Sequence, residues 1–307
     1  MPSNSLEGIF FGDTMKKIWV VLAAFLFLCI NICFAFEWKK LHEDADKISL
    51  AEAESLGKSG SKEGLYILGL VYLNEHKDKE AMEVFEKITS KDPRAYEAKW
   101  GIAEVLRRQH KLEESLKLLD GVIKTDPDFS PAYITLAYVK YTQMDFNAAV
   151  RFAVKVMDQG KAKVDLSNYV RAYLLYGGAK GVIAHHGGPL SKVINGTAVF
   201  SNLKKAEKLQ PDSAAVKYSL GSFYLLAPGF VGGNLELAQD YLTKSVELDP
   251  LFANAYVRLA EVYKAKNDTE KYRQYLDKAL EVDPGCELAQ DVKKGTCKYS
   301  CYQGLDQ

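Results

Sequence analysis

The sequence is poor in the residues that most often carry chemistry. Its 307 residues include five histidines and five cysteines. No His-Glu-x-x-His occurs, so a helix-borne zinc protease site is excluded, and no Gly-x-Ser-x-Gly marks a nucleophile elbow. Charge of one sign is also lacking. Lys plus Arg is 40 and Asp plus Glu is 40, which excludes a basic protein built to coat nucleic acid. Proline is sparse, with nine residues, and their placement is informative. Carboxylates are scattered on the outward faces of helical patterns, where a solvated face accounts for them. These absences point away from an enzyme, and no cofactor is implied.

Long apolar runs are likewise missing, with one exception. Lys16 and Lys17 follow Met15, then Ile18 to Ala35 is apolar apart from Asn31. The run ends Cys33-Phe34-Ala35. This is a charged start, an apolar middle and a small-residue cut site. Residues 1–35 are therefore expected to be a signal peptide, with Met15 as the working start and Phe36 as the first mature residue. The alternative is an uncleaved inner-membrane anchor through 18–35, because such a run just spans a bilayer. Removing 1–35 takes out two bases and two acids, so the mature chain stays neutral. It keeps Cys286, Cys297 and Cys301. In an oxidising compartment, periplasmic or extracellular, these imply one disulfide and one leftover thiol. With no fourth ligand nearby they do not make a zinc site.

What the sequence does have is a period. Asp92-Pro93, Asp126-Pro127, Gln210-Pro211, Asp249-Pro250 and Asp283-Pro284 each end an apolar helical stretch. The prolines are spaced 34, 84, 39 and 34 residues apart. The 84 is one 34-residue unit without its proline plus one of 50, and the 39 is 34 with five inserted. The side chains keep the same register. Residues 62–95 offer Leu65, Leu68-Gly69, Tyr72, Ala81, Phe85 and Pro93. Residues 253–286 offer Tyr256, Leu259-Ala260, Tyr263, Leu276 and Pro284, and 214–252 offers Leu220-Gly221, Tyr224, Ala238 and Leu242. The stretches 96–129 and 130–163 follow, and 164–213 is the least regular.

A self-similar unit of 34 with these residues resembles the tetratricopeptide repeat family. The resemblance implies an all-α solenoid of about six helix-turn-helix units over 62–286. Small residues at the eighth place let the two helices of a unit cross closely, and the proline ends the second helix. Each unit leaves an apolar face uncovered, so neighbours stack and share one core. Residues 36–61 are expected to form an N-terminal capping helix, Trp38 to Gly57, with Leu41, Ala45 and Ile48 inward. Residues 287–307 form a C-terminal cap and a loosely held cysteine-containing tail. Insertions near 184–198 and 227–234, both Gly-Gly-bearing, are expected as turns inside their units. His185-His186 then forms a polar turn, because adjacent histidines rarely reach one metal ion. Gly177-Gly178 and Gly181 fit neither phosphate-loop spacing.

In this family the first helix of each unit lines a concave groove, through its second, fifth, ninth and twelfth residues. Carried over by position, these give Tyr66, Trp100, Glu104, Arg107, Tyr138, Tyr141 and Tyr218 as the partner-binding residues. Large rigid aromatics and arginine are the residue types that dominate binding hot spots. The irregular 164–213 unit contributes none, because its register is ambiguous. The family's clamp for a terminal carboxylate calls for Lys, Asn and Arg where this chain mostly has Glu, Tyr and Leu, which argues against that adaptor role. The expected function is a non-enzymatic scaffold in envelope assembly or secretion, binding a protein or peptide segment in the groove. It takes no nucleic acid, and a membrane only if 18–35 is retained. The alternative is a small-solute-binding repeat protein associated with a transporter, its pocket near the Gly-rich insertions and Tyr169-Tyr173-Tyr176.

Overall fold

A computed structural model describes residues 37–296, 298–300 and 302. The chain divides into Met1–Trp38 and a compact unit, Lys39–Gln307. The expected signal segment 1–35 lies outside the described residues, as do Cys297 and Cys301. No helix among the described residues is long and apolar enough to cross a membrane.

Every regular element among those residues is a helix. The first unit is α3 (Lys62–Asn74) and α4 (Asp78–Lys91), preceded by α1 (Trp38–Ala45) and α2 (Leu50–Lys58). The second is α5 (Tyr96–Arg108) and α6 (Leu112–Thr125), and the third is α7 (Ser130–Thr142) and α8 (Phe146–Gln159). The fourth is α9 (Leu166–His186) and α10 (Pro189–Leu209). The fifth is α11 (Ala214–Leu226) and α12 (Leu235–Leu248), the sixth α13 (Ala253–Ala265) and α14 (Thr269–Val282). Outside the fourth unit every first helix has 13 residues and every second helix 14. The all-α solenoid expected from the period is what the chain forms.

Two local devices repeat with the unit. The residue before each Asp-Pro proline is driven extended, and its carboxylate then closes a turn. Asp92, Asp126, Asp249 and Asp283 each accept a bond from the backbone N–H two residues on, at 2.9–3.0 Å. At the turn between the two helices, His76, His110, Met144 and Asn267 all take positive φ, between 55° and 62°. Each is the fifteenth residue of its unit. Small residues set the helix spacing. A Cβ on Gly69 or Gly101 would lie 2.6 or 2.5 Å from the ring of Phe85, which is fully buried between them.

The departures are instructive. The N-terminal cap is two helices, α1 (Trp38–Ala45) and α2 (Leu50–Lys58). Ser49 starts the second through a capping box with Glu52, and that local signal outcompetes continuation of the first. The insertion near 184–198 is not a loop. It is absorbed as about two extra turns on each helix of the fourth unit, both 21 residues long, leaving Gly187-Gly188 as the connection. His185 and His186 thus end a helix and do not form a turn. The 227–234 insertion is a loop with one short 3-10 turn, Gly229–Val231. The last helix is α15 (Glu287–Lys294). Beyond it the tail is packed inward, with Tyr299 and Ser300 buried. Cys286 is a free buried thiol whose Sγ lies 3.0 Å from Asn254 Oδ1, so it takes no part in the expected disulfide.

Candidate functional site

The solenoid curls until it meets itself. His76 of the first unit lies 3.1 Å from Asp249 at the end of the fifth. His110 of the second unit bonds Asp283 at 3.2 Å and Glu287 at 2.8 Å, at the end of the sixth. Both His–Asp contacts span 173 residues, so one seam is made twice by successive units. Gly285 admits it, because a Cβ there would lie 2.5 Å from the His110 ring. Burial opposes the charge of His110, but the two carboxylates outweigh it and raise its pKa.

The seam narrows the concave face, and both helix α1 and residues 298–300 and 302 pack against it. Helix α1 crosses from the first unit to the fourth. Lys39 Nζ donates to the Ala162 carbonyl at 3.0 Å, and Ser167 donates to Asp46 at 2.6 Å. His42 is buried between Tyr66, at 2.9 Å from its hydroxyl, and the Trp100 ring, 5.1 Å between centroids. Its pKa is lowered, chiefly by burial. Residues 298–300 and 302 also contribute. Tyr299 stacks on Tyr141, 5.8 Å apart and 12° from parallel, and donates its hydroxyl to the Thr142 carbonyl at 2.9 Å. The Tyr299 carbonyl meets His186 Nε2 at 2.5 Å, and Arg258 donates to the Ser300 carbonyl at 2.8 Å. The Tyr302 amide donates to Glu261 at 3.3 Å. Between these fillings remains a cavity of about 1130 Å³.

Six of the seven expected groove residues line that cavity: Trp100, Glu104, Arg107, Tyr138, Tyr141 and Tyr218. Tyr66 does not. At 1% exposure it belongs to the core beneath α1, so its assignment to the partner-binding surface is corrected. Trp100 is 3% exposed and donates its indole N–H to Thr135 at 3.0 Å, contributing only an edge. Glu104 and Arg107 hold each other through two bonds, at 2.6 and 3.0 Å. Burial pushes the Glu104 carboxyl up, but Arg107, Arg108 and Arg171 hold its pKa down at about 2. The Arg107 guanidinium also lies 4.9 Å from the centre of the Tyr138 ring. Burial raises the hydroxyls of Tyr141 and Tyr218.

Several cavity residues escape the second–fifth–ninth–twelfth rule. Thr135 and Arg258 occupy the sixth place of their units, which also turns inward. Asn168, Arg171 and Gly178 come from the fourth unit, whose register the period does not fix. In α9 the inward residues recur every three or four positions from 168 to 185. A helical reading of 166–184 taken alone would have shown that stripe, though not which side faced in.

The comparisons with known proteins accord with this architecture. The tetratricopeptide repeat profile matches residues 75–138 and 253–286. No curated protein matches the chain. Among solved structures, a tetratricopeptide repeat protein from Parabacteroides merdae is similar at 16% identity and a TM-score of 0.50, over 84% of this chain and 98% of its own. The APC/C hetero-tetramer Cut9-Hcn1 is similar at 20% identity and a TM-score of 0.53, over 83% of this chain and 47% of the other. YrrB, a tetratricopeptide repeat protein described with an unusual peptide-binding site, reaches 20% identity over 69% of this chain and 99% of its own. Its TM-score is 0.37. Likenesses of this order show the fold and carry no ligand with them.

Proposed function

The chain is a tetratricopeptide-repeat protein, and from that premise we propose that it is a non-enzymatic scaffold whose concave interior holds an extended segment of a partner protein. One observation carries this reading: the chain's own Tyr299, Ser300 and Tyr302 already make contacts there of the kind such a segment would make. The groove supplies what an extended peptide needs, namely an aromatic seat for a side chain and charged groups for the backbone. Tyr141 seats Tyr299, Arg258 takes the Ser300 carbonyl, and Glu261 takes the Tyr302 amide. Burying a backbone carbonyl against a charged donor is favourable where an unpaired one would be costly. A partner segment with an aromatic residue would take the place of the tail. Export of the mature chain, and a place in envelope assembly or secretion, belong to the same proposal and rest on the Met15–Ala35 pattern.

The test uses a fluorescent peptide spanning residues 295–307. Tyr299→Ala loosens the internal tail, and the peptide should then bind that variant in trans and bind the parent weakly. Adding Tyr141→Ala should abolish the gain. A peptide that binds neither protein sinks the reading.

A second reading has its own support. The seam leaves the concavity a partly open space of about 1130 Å³, just above the usual size range of small-molecule pockets. That favours a small solute over a bulky partner in the part the tail leaves empty. A low-mass ligand there would raise the melting temperature by mass action.

A further inference from the structure

We infer that the interior binds a small monocarboxylic acid with an apolar body, its carboxylate held by Arg171. The inference rests on the small-solute reading above and names the chemistry of that solute.

Arg171 lines the cavity and makes no direct hydrogen bond or ion pair with any described residue; Glu104 acts on it only at longer range. The acids around it are otherwise occupied. Glu104 accepts from Arg107, Arg108 and Thr135. Asp46 accepts from Ser167 and Asn74. Asp165 accepts the Asn168 amide and backbone N–H groups. Arginine stays charged in a protein, and its planar fork matches a carboxylate through two parallel bonds. An arginine turned into a cavity with no anion on it is a vacant half of such a pair. One turn away, Asn168 is 1% exposed and its Oδ1 has no hydrogen-bond partner. A buried acceptor of that kind is costly to leave unpaired, and a hydroxyl or the proton of a protonated group on the ligand would satisfy it.

The same helix supplies the room. Gly178 and Gly181 sit mid-way along α9, where glycine is about 1 kcal/mol less favourable than alanine. Close packing does not demand them. A Cβ on Gly178 would meet only a Tyr141 ring carbon at 3.7 Å, and on Gly181 only Val199 at 3.9 Å. Gly177 is different, because a Cβ there would come 3.1 Å from Leu203 of α10. Two glycines at which a Cβ would make only ordinary contact therefore keep space open in the cavity wall. Leu174, Val199, Phe223 and Leu226 give the rest of that wall an apolar character suited to an aliphatic or aryl body. Lys192 also lines the cavity but is exposed to solvent, so the charge matched within it is that of Arg171, which favours a carboxylate over a doubly charged phosphate.

The experiment is calorimetric titration of the whole protein with octanoate and 4-phenylbutyrate, and with their neutral primary amides. At least one acid should bind, and its amide roughly 10- to 100-fold more weakly, as loss of a charge-assisted pair implies. Arg171→Met should weaken the acid by the same factor with the circular-dichroism spectrum of the folded protein unchanged, because Arg171 makes no direct hydrogen bond among the described residues and acts on Glu104 only at longer range. Gly178→Leu should remove binding by filling the space while leaving the helix intact. If amide and acid bind equally and both are lost in Gly178→Leu, the solute cavity stands and the carboxylate inference falls. If neither class gives heat, both the inference and the small-solute reading fall.

Discussion

Replacing Gly221 by alanine tests how the helices of a unit are spaced. Gly221 lies on α11, and a Cβ there would sit 2.6 Å from Leu242 Cγ, 3.0 Å from Cδ2 and 3.2 Å from the Leu242 backbone nitrogen. Carbon pairs rest near 3.5–4.0 Å, so α11 and α12 must part by roughly 1 Å. Leu242 is fully buried and cannot swing away. Overpacking of this kind costs about 1–3 kcal/mol, offset by about 1 kcal/mol from replacing glycine in a helix. The control is Gly121→Ala. Gly121 is also helical, but a Cβ there meets nothing within 4 Å, so alanine should stabilise by about 0.5–1 kcal/mol. The pair should therefore differ by about 1–3 kcal/mol in opposite directions. At roughly 2–4 °C per kcal/mol, the melting temperatures should separate by several degrees. Amide exchange in α11 and α12 should quicken in Gly221→Ala alone. Equal shifts in the two variants would refute the argument that helix crossing distance fixes glycine at this place.

Other consequences can be checked as directly. Glu104 has its pKa held at about 2, below its unfolded value. Its contribution is present above that unfolded value and is lost as pH falls toward 2. Glu104→Gln leaves Arg107 and Arg108 without their buried counter-charge, costing about 3–5 kcal/mol, and should flatten the acid limb of a circular-dichroism stability titration. A limb as steep as in the parent would count against the assignment. His110 behaves in the reverse sense. Its pKa is raised in the folded state, so its seam contribution is full below the unfolded value and fades as pH rises through the folded one. The melting temperature of the parent should fall relative to that of His110→Asn between pH 6 and pH 8, and a constant difference would contradict this. Burial pushes the Cys286 thiol up to about 11. Iodoacetamide at pH 8 should leave it unmodified in the folded protein and label it in guanidinium, as read by mass spectrometry of its peptide.

Much of the fold was legible because it is written locally. Asp-Pro pairs, eighth-place small residues and alternating helix faces each act within one unit, so the 34-residue spacing reveals them. The fourth unit broke that logic. Lengthening α9 and α10 by two turns preserved helix but erased register, and Asn168 and Arg171 went unassigned with it. Six of the seven expected groove residues line the cavity because the twist from helix to helix is regular, whereas Tyr66 is covered by α1. Closure of the solenoid was not legible. It depends on small rotations accumulated over several units, which no single motif encodes. The tail was missed for the opposite reason: Tyr299 has no periodic neighbour, and its partner Tyr141 lies more than 150 residues earlier.

The twice-made histidine seam changes how the molecule should unfold. In an open array each repeat couples only to its neighbours, so the ends fray first and the middle survives. Contacts from the first unit to the fifth and from the second to the sixth turn that line into a loop. Neither end can then melt without breaking a contact that also holds the other. Loss of both latches would restore fraying from both ends at once. The chain should behave as a single cooperative unit while the seam is closed, and as a graded series of repeats when it is open.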